Sequence, residues 1–262
     1  MSSPGASMSN VHERSRASII RVPGESCHPA DNLDQIVASP SPADLLRESI
    51  WARSLTADQL RCVETSLVER RIAAGEYVCR KGEPVEHWIG ILQGLVKMTS
   101  LSPGGKVTTF TGLPAGAWFG EGSLLKNERR KYDVVALRDS RVALMPRATF
   151  NALLDGSIGF NRFLLVQLNE RLGQFIGQIE FDRLLNVEAR VARCLAAMFN
   201  PHLYPGTAAQ LQISQEEIGY LSDLSRQRVN QALKALEQAG LVRVEYGGIL
   251  VLDLPGLRNF AG

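Results

Sequence analysis

The most constraining feature of this sequence is the order of signals across residues 214–252, which encode a helix, a tight turn, a second helix and a hairpin. Ser214 is followed three residues later by Glu217, the pattern of a capping box that begins a helix. Ser225 predicts the N-cap of the second helix, and Gly240 supplies a residue suited to the left-handed backbone at its end. Two short apolar runs follow, separated by a Tyr-Gly-Gly turn that predicts a β-hairpin. We therefore predict a winged helix-turn-helix.

The second predicted helix begins with long polar side chains, while Val229 supplies its buried side. Arginine can bond guanine, and glutamine or asparagine can bond adenine, through two hydrogen bonds at the base edge. Recognition helices present their N-terminal residues to the bases, and helix N-termini also favour phosphate. The alternative is a solvated helix face, which the order of caps, turn and hairpin disfavours. The predicted DNA-binding residues are Ser214, Gln215, Ser225, Arg226, Gln227, Arg228, Asn230, Gln231 and Arg243.

Composition limits the classes that the chain can belong to. The net charge of the 262 residues is only +2, so any nucleic-acid surface must be a local patch. No apolar run approaches the roughly 20 residues that span a bilayer, and no apolar signal core is present at the N-terminus. We therefore expect a cytoplasmic protein without a membrane partner. No serine–histidine–aspartate, paired-carboxylate or phosphate-loop set stands out, so we expect neither an enzyme nor catalytic residues.

The cysteines are too scattered to predict a metal site or a disulfide. Cys27, Cys62, Cys79 and Cys194 form no Cys-x-x-Cys pair. An iron–sulfur cluster needs a set of cysteine thiolates, and this distribution disfavours one. Haem would need an axial ligand such as His87, which more simply is a lone surface histidine. Reduced thiols are the simplest interpretation, and a redox switch through Cys62 or Cys79 stays open.

The period of the apolar residues divides the chain into four parts. Residues 1–40 are rich in Ser, Pro and Gly and predict a disordered tail. Within residues 41–155, short apolar runs alternate with glycine and proline turns, which is typical of a β-barrel or sandwich. Residues 156–185 predict a long helix, and residues 186–262 contain the winged helix-turn-helix.

The long helix has an apolar seam with steps of three and four residues, the a/d pattern of a coiled coil over about two heptads. Such a short seam serves either a dimer interface or packing of the helix on its own β-domain. We favour dimerisation. The predicted seam residues are Leu165, Leu168, Leu172, Phe175 and Ile179.

Several of these motifs resemble those of the Crp/Fnr family of transcription regulators. The stretches Ile213–Gly219, Leu224–Val229 and Leu236–Val242 resemble its helix-turn-helix, and Leu92–Val96 resembles one of its barrel strands. The resemblance covers about residues 43–255 in the family's order. It implies an α+β fold: a cyclic-nucleotide-binding-type β-roll, a long dimerisation helix and a C-terminal winged helix-turn-helix. It also implies a homodimer that binds inverted-repeat DNA and acts on RNA polymerase. A cyclic-nucleotide-binding signalling module without DNA activity is the alternative, and it leaves the winged helix unexplained.

The resemblance also implies an effector pocket, and the motif there is altered. In nucleotide-binding members a Gly-Glu pair meets the ribose, and an Arg-Ser or Arg-Thr pair neutralises the cyclic phosphate. This chain has Lys131 in place of the hydroxyl residue, and Phe175-Ile176 where cyclic-AMP-binding members place a Thr-Ser pair. A cyclic nucleotide, another small effector, no effector, and a merely solvated loop at 129–131 all stay open. The candidate pocket residues are Gly120, Glu121, Ser123, Arg130, Lys131, Phe175 and Ile176.

Overall fold

The computed structural model describes residues 41–102, 104–105, 107–184 and 186–261, with backbone alone for 180–184. The predicted tail at residues 1–40 lies outside the described residues. The first described elements are short helices, α1 (Pro42–Glu48), a 3-10 helix (Trp51–Ser54) and α2 (Ala57–Ser66). Ser41 and Thr56 form the capping boxes of α1 and α2.

Eight short strands and one helical turn follow, and they form the β-roll. The strands pair into two antiparallel four-stranded sheets, with orders β1-β8-β3-β6 and β2-β7-β4-β5. The elements are β1 (Val68–Ile72), β2 (Tyr77–Cys79), β3 (His87–Gln93), β4 (Leu95–Leu101), β5 (Val107–Pro114), β6 (Trp118–Phe119), α3 (Glu121–Leu125), β7 (Asp133–Ala136) and β8 (Ser140–Pro146).

The two sheets enclose an apolar core. In one sheet Ile89 pairs with Leu144, and in the other Val96 pairs with Leu113. Ile91, Leu113, Phe119, Val134 and Val142 belong to the same cluster and are fully buried. Because successive strand residues point to opposite faces, this pairing directs one row of each sheet into the core.

A second core joins the N-terminal helices to the outside of the β-roll. All three tryptophans of the chain meet there, with ring centroids 5.2 Å apart for Trp51–Trp88 and 4.5 Å apart for Trp88–Trp118. Phe150 and Phe160 pack edge-on against Trp88, at 5.6 Å in both cases. Aromatic pairs in such tilted and edge-to-face arrangements add stabilisation beyond their buried area.

Two consecutive helices leave the β-roll, α4 (Arg147–Gly156) and the long α5 (Ile158–Leu184). One side of α5 packs on the β-roll through four buried residues in steps of four, three and four: Phe160, Leu164, Gln167 and Arg171. The opposite side is apolar but exposed, which is unusual for a helix that packs on a single partner. Its large exposed side chains are Ile158, Leu165, Val166, Leu172, Ile176 and Ile179.

The C-terminal elements form a compact DNA-binding domain. Their apolar side chains make one core that includes Leu195, Ile218, Leu233 and Ile249. Leu95 of the β-roll also belongs to this core, so the two domains share apolar contacts. The elements are α6 (Val187–Ala197), β9 (Gln210–Leu211), α7 (Gln215–Ser222), α8 (Arg226–Gln238), β10 (Val242–Glu245), β11 (Gly248–Val251) and α9 (Leu254–Asn259).

The DNA-binding domain also rests on β5 of the β-roll. Leu221, in the last turn of α7, packs over Gly112, where an added Cβ would lie 2.9 Å from Leu221 Cδ1. The fold is α+β, as predicted. Across the described part of the chain, no helix is both long enough and apolar enough to cross a membrane.

Candidate DNA-binding surface and effector pocket

The first helix of the helix-turn-helix, α7, begins at the predicted capping box. The Glu217 backbone N–H donates to Ser214 Oγ at 3.2 Å, and the Ser214 backbone N–H donates to Glu217 Oε2 at 2.7 Å. α7 ends at Asp223, which adopts the left-handed conformation with φ 54°. Gly219 faces the turn so closely that a Cβ would lie 2.7 Å from the Leu224 carbonyl oxygen. This close approach sets the second helix tightly against the first.

The second helix, α8, exposes the polar residues that the sequence analysis assigned to DNA. Ser225 caps the helix by accepting from the Arg228 backbone N–H at 3.4 Å. Val229 is fully buried, so it fixes the rotation of the helix about its axis. The side chains left exposed along α8 include Arg226, Gln227, Arg228, Asn230 and Gln231. Two guanidinium groups and three amides therefore lie on the solvent side of α8.

The predicted wing is the hairpin of β10 and β11. Val244 pairs with Ile249, and Gly247 turns the chain with φ 77°. Tyr246 at the tip is fully exposed, and Arg243 projects from β10 into solvent. A cationic residue on a wing beside a recognition helix is suited to a phosphate contact.

The acid of the effector motif is already engaged within the protein. Glu121 is buried and forms an ion pair with Arg171 of α5, with Nε and Oε1 3.0 Å apart. Trp88 Nε1 donates to Glu121 Oε2 at 3.4 Å. Arg171 also donates to the Trp118 carbonyl oxygen. Arg171 was missed by the sequence analysis, although a charged residue on the packed side of an apolar helix was a usable signal.

Arg130 lies next to this ion pair, and not all of its hydrogen-bond donors are used. Its guanidinium is buried, and Nη2 donates to the His87 carbonyl oxygen at 3.1 Å. Nη1 is buried without a hydrogen-bond partner among the described residues. Gly120 has φ 98°, a conformation that favours glycine, and a Cβ there would lie 3.0 Å from Arg130 Nη1. Because Gly120 has no side chain, its backbone can lie this close to Nη1. We call Gly120, Glu121, Arg130 and Arg171 the effector cluster.

The other predicted pocket residues are distributed differently. Ser123 is buried within α3, close in sequence to Glu121. Lys131 is exposed and pairs with Glu128 at 3.0 Å, so it lies apart from the effector cluster. Phe175 is half-buried, with its ring centroid 6.2 Å from that of Phe110 in β5. Ile176 belongs to the exposed side of α5.

The cysteines and His87 remain separate from one another. Burial raises the pKa of the Cys79 thiol to about 11 and that of Cys194 to about 12. Cys62 is exposed, and Cys27 lies outside the described residues. Burial lowers the pKa of His87. In the described ranges, no three His, Cys, Asp or Glu side chains come together as a metal site.

Comparison with known protein families agrees with this two-part arrangement. Residues 69–157, which include the effector-cluster residues of the β-roll, match the family of cyclic nucleotide-binding domains. Residues 189–260, which include α7, α8 and the wing, match the Crp-like helix-turn-helix domain.

The chain belongs to the Crp/Fnr family of transcription regulators. As a Crp/Fnr protein it is a DNA-binding transcription regulator, with a cyclic-nucleotide-binding-type domain before its helix-turn-helix.

Individual relatives match three quarters or more of this chain. The cyclic AMP receptor protein of Thermus thermophilus is 29% identical over 199 residues, which cover 75% of this chain and 89% of that protein. The cAMP-activated global transcriptional regulator CRP of Haemophilus influenzae is 27% identical over 227 residues, covering 84% and 95%. The structure of FixK2 from Bradyrhizobium japonicum has the same fold, with a TM-score of 0.62 and 20% identity over 75% of this chain and 98% of that one.

Proposed function

We propose that this Crp/Fnr regulator acts as a homodimer that binds an inverted-repeat DNA site and controls transcription through RNA polymerase in the cytoplasm, where its DNA lies. The exposed apolar side of α5 supports the dimer most directly. Leu165, Leu172 and Ile179 recur every seven residues and are 68%, 58% and 57% exposed, with Ile176 beside them at 59%. A row of this kind on a soluble regulator is expected to be covered by a second helix.

The exposure of the α5 side chains changes which residues we assign to the dimer interface. Leu168 and Phe175 are half-buried against their own chain, whereas the residues at seven-residue spacing are open. A Cβ added to Gly173 would meet no atom within 4 Å, so a partner helix can approach closely beside Leu172. We therefore assign the interface to Leu165, Leu172, Ile176 and Ile179.

Dimerisation gives the polar side of α8 its geometric role. Two recognition helices related by a two-fold axis reach successive major grooves about 34 Å apart, so the DNA site has to be an inverted repeat. Arg226, Gln227 and Asn230 are the proposed base-reading residues, and Arg228 and Arg243 are assigned to phosphate.

Selection from random DNA tests this function. We expect an enriched inverted repeat with half-site centres about 10 base pairs apart. Analytical ultracentrifugation of the complex is expected to give two chains per duplex. Transcription by purified RNA polymerase should change when the selected site is placed near a promoter, and scrambling one half-site should abolish the change. Failure to enrich any inverted repeat, with or without added effectors, would contradict the proposal.

We further propose that the β-roll responds to a small anion bound by Arg130. The buried Nη1, which has no hydrogen-bond partner among the described residues, supports an anion there. Lys131 stands where the hydroxyl residue is usual, and it pairs with Glu128. Two relatives are named for cyclic AMP, so cyclic nucleotides are the first anions to test. Small phosphates and carboxylates complete the panel.

The shift in unfolding temperature measures this response. At least one anion should stabilise the protein, and Arg130→Gln should remove that stabilisation. Equal shifts in the wild type and the variant for every anion would contradict the assignment of Arg130. The same panel also shows whether the altered motif still accepts cyclic AMP.

A further inference from the structure

A cavity of about 310 Å³ lies between the β-roll and the DNA-binding domain, away from the effector cluster. β5 and α5 form one wall, and α6 and the end of α7 form the other. None of Gly120, Glu121, Arg130 or Arg171 lines it. Its volume is at the lower end of the range of about 300–1,000 Å³ typical of small-molecule pockets. We call this space the interdomain cavity.

The polar lining of the interdomain cavity is cationic and rich in hydrogen-bond donors. Arg190 of α6, Gln174 of α5 and Thr111 of β5 all line it, and Gln174 Nε2 donates to Thr111 Oγ1 at 3.1 Å. Arg190 Nη2 donates to the Ser222 carbonyl oxygen at 2.7 Å. A guanidinium has five N–H donors in a planar fork, so further donors are available to an anion.

The charge of Arg190 is not paired within the described structure. Among the residues whose side chains the structure describes, no carboxylate forms an ion pair with Arg190. Asp223 also lines the cavity, at the end of α7. The half-buried position of Arg190 strengthens its attraction for an anion relative to a fully solvated arginine.

The rest of the lining combines apolar side chains with polar ones such as Thr109, Gln178 and Arg193. Its apolar part includes Phe110 of β5, Ala197 of α6, Met198 just after α6, and Leu221 of α7. Apolar walls with a few convergent polar groups are the usual composition of a small-molecule site. Such a cavity suits a ligand with an apolar body and one charged end.

We propose that the interdomain cavity binds a small amphipathic anion, with its carboxylate, sulfonate or phosphate group on Arg190 and its apolar body between Phe110 and Leu221. The ligand would touch both domains at once and so favour one arrangement of them. By linkage, ligand binding and DNA binding then alter each other's affinity by the same factor. This regulatory consequence rests on the proposed DNA function, whereas the binding of the anion does not.

Anilinonaphthalene sulfonate, a fluorescent amphipathic anion, is the probe for the first test. Titrated into the full chain without DNA, it should bind once per chain. Arg190→Met should weaken binding by about tenfold or more, because a charge-assisted contact is lost, and Arg190→Lys should restore much of it. Phenylnaphthylamine, the same apolar body without the sulfonate, should bind about tenfold more weakly than the sulfonate.

Two further variants control this test. Ala197→Phe fills the cavity and should remove binding even though Arg190 is retained. Arg258→Met is the matched control, because Arg258 also lies in the DNA-binding domain and donates to a backbone carbonyl, that of Phe199. It should leave probe affinity unchanged. Unaltered binding in both Arg190→Met and Ala197→Phe, each with a wild-type circular dichroism spectrum, would overturn the proposed site.

The second test measures coupling to DNA. Probe affinity is compared without DNA, with a selected inverted repeat and with a scrambled duplex. A change of about threefold or more with the selected site alone supports the coupling. Equal affinity in all three conditions overturns the coupling and leaves the anion site standing. Absence of any selected site is a failure of the proposed DNA function, and it leaves the result of the probe titration intact.

Discussion

Arg138 of the β-roll holds Glu217 of α7 through two parallel contacts, Nε to Oε1 at 2.7 Å and Nη2 to Oε2 at 2.6 Å. Arg138 Nη2 also donates to the Gln212 carbonyl oxygen at 2.6 Å. Glu217 at the same time accepts from the Ser214 backbone N–H as part of the capping box. The residue that caps the first helix of the helix-turn-helix therefore also ties that helix to the β-roll.

Replacing Arg138 should loosen the start of α7 without unfolding the β-roll. Arg138→Met removes the bidentate pair but leaves Glu217 in the capping box. Because the arginine is partly exposed, we expect a loss of about 1 kcal/mol, equivalent to roughly fivefold faster amide exchange in residues 212–219. Hydrogen exchange followed by mass spectrometry measures this directly.

Arg141→Met is the matched control for that experiment. Arg141 forms a bidentate pair of similar length with Glu69, at 2.7 and 2.8 Å, but both residues lie in the β-roll. Its loss should speed exchange in β1 and β8 and leave α7 unchanged. Equal protection of residues 212–219 in Arg138→Met and the wild type would show that Arg138 does not tie the domains together.

Arg226→Ala should weaken specific DNA binding and leave the dimer intact. Loss of one bidentate base contact costs about 1–3 kcal/mol, which lowers affinity for the selected site by about fivefold to 150-fold. Fluorescence anisotropy measures the affinity, and sedimentation measures the dimer. Gln238→Ala, at the exposed C-terminal end of α8, should bind like the wild type. If Arg226→Ala stays within twofold of the wild type, α8 does not read DNA as proposed.

Leu172→Asp should convert the protein to a monomer. It places a charge in the middle of the exposed apolar row of α5, where two such charges would meet across a two-fold axis. Sedimentation velocity should then show one chain where the wild type shows two. Leu101→Asp, at an exposed apolar residue of β4, is the matched control and should leave the assembly unchanged. A dimeric Leu172→Asp variant would contradict the assigned interface.

Among the described cysteines, Cys62 should be the one that reacts with alkylating reagents. The thiolate is the reactive form, and burial raises the pKa of Cys79 to about 11 and of Cys194 to about 12. At about pH 8 these two thiols are therefore protonated in the folded chain. Peptide mapping after brief iodoacetamide treatment should find Cys62 modified first. Labelling of folded Cys79 at the same rate would contradict this order of reactivity.

The features that depend on neighbouring residues were predictable. The capping boxes at Ser41, Thr56 and Ser214 join atoms three residues apart, so their chemistry is written in adjacent sequence. The same holds for the burial of Val229 and the exposure of Arg226, which the period of one helix determines. These local rules were sufficient for the helix-turn-helix, whereas the α+β class came from the resemblance to the Crp/Fnr family.

Contacts between distant residues were not predictable in this way. Glu121 and Arg171 are 50 residues apart, and Arg138 and Glu217 are 79 apart. Each pair depends on how whole domains pack, and the spacing of residues within one helix or strand does not predict that packing. The difference between the predicted seam and the exposed row of α5 has the same origin. Phe175 packs against Phe110 of β5 and therefore turns partly away from the exposed side of the helix. The interdomain cavity also exists only once α6 packs beside β5.

The contact of Leu221 with Gly112 affects how α7 can move. Arg138 fixes the N-terminal end of this helix, while its last turn rests on a strand position that lacks a side chain. A Cβ at Gly112 would lie 2.9 Å from Leu221 Cδ1, so the glycine lets the far end of α7 approach β5 closely. α7 is about 12 Å long at 1.5 Å per residue, so a pivot of a few degrees at its fixed end displaces the first residues of α8 by about an ångström. A residue with a side chain at position 112 would therefore tilt α7 about its fixed end and displace the start of the recognition helix.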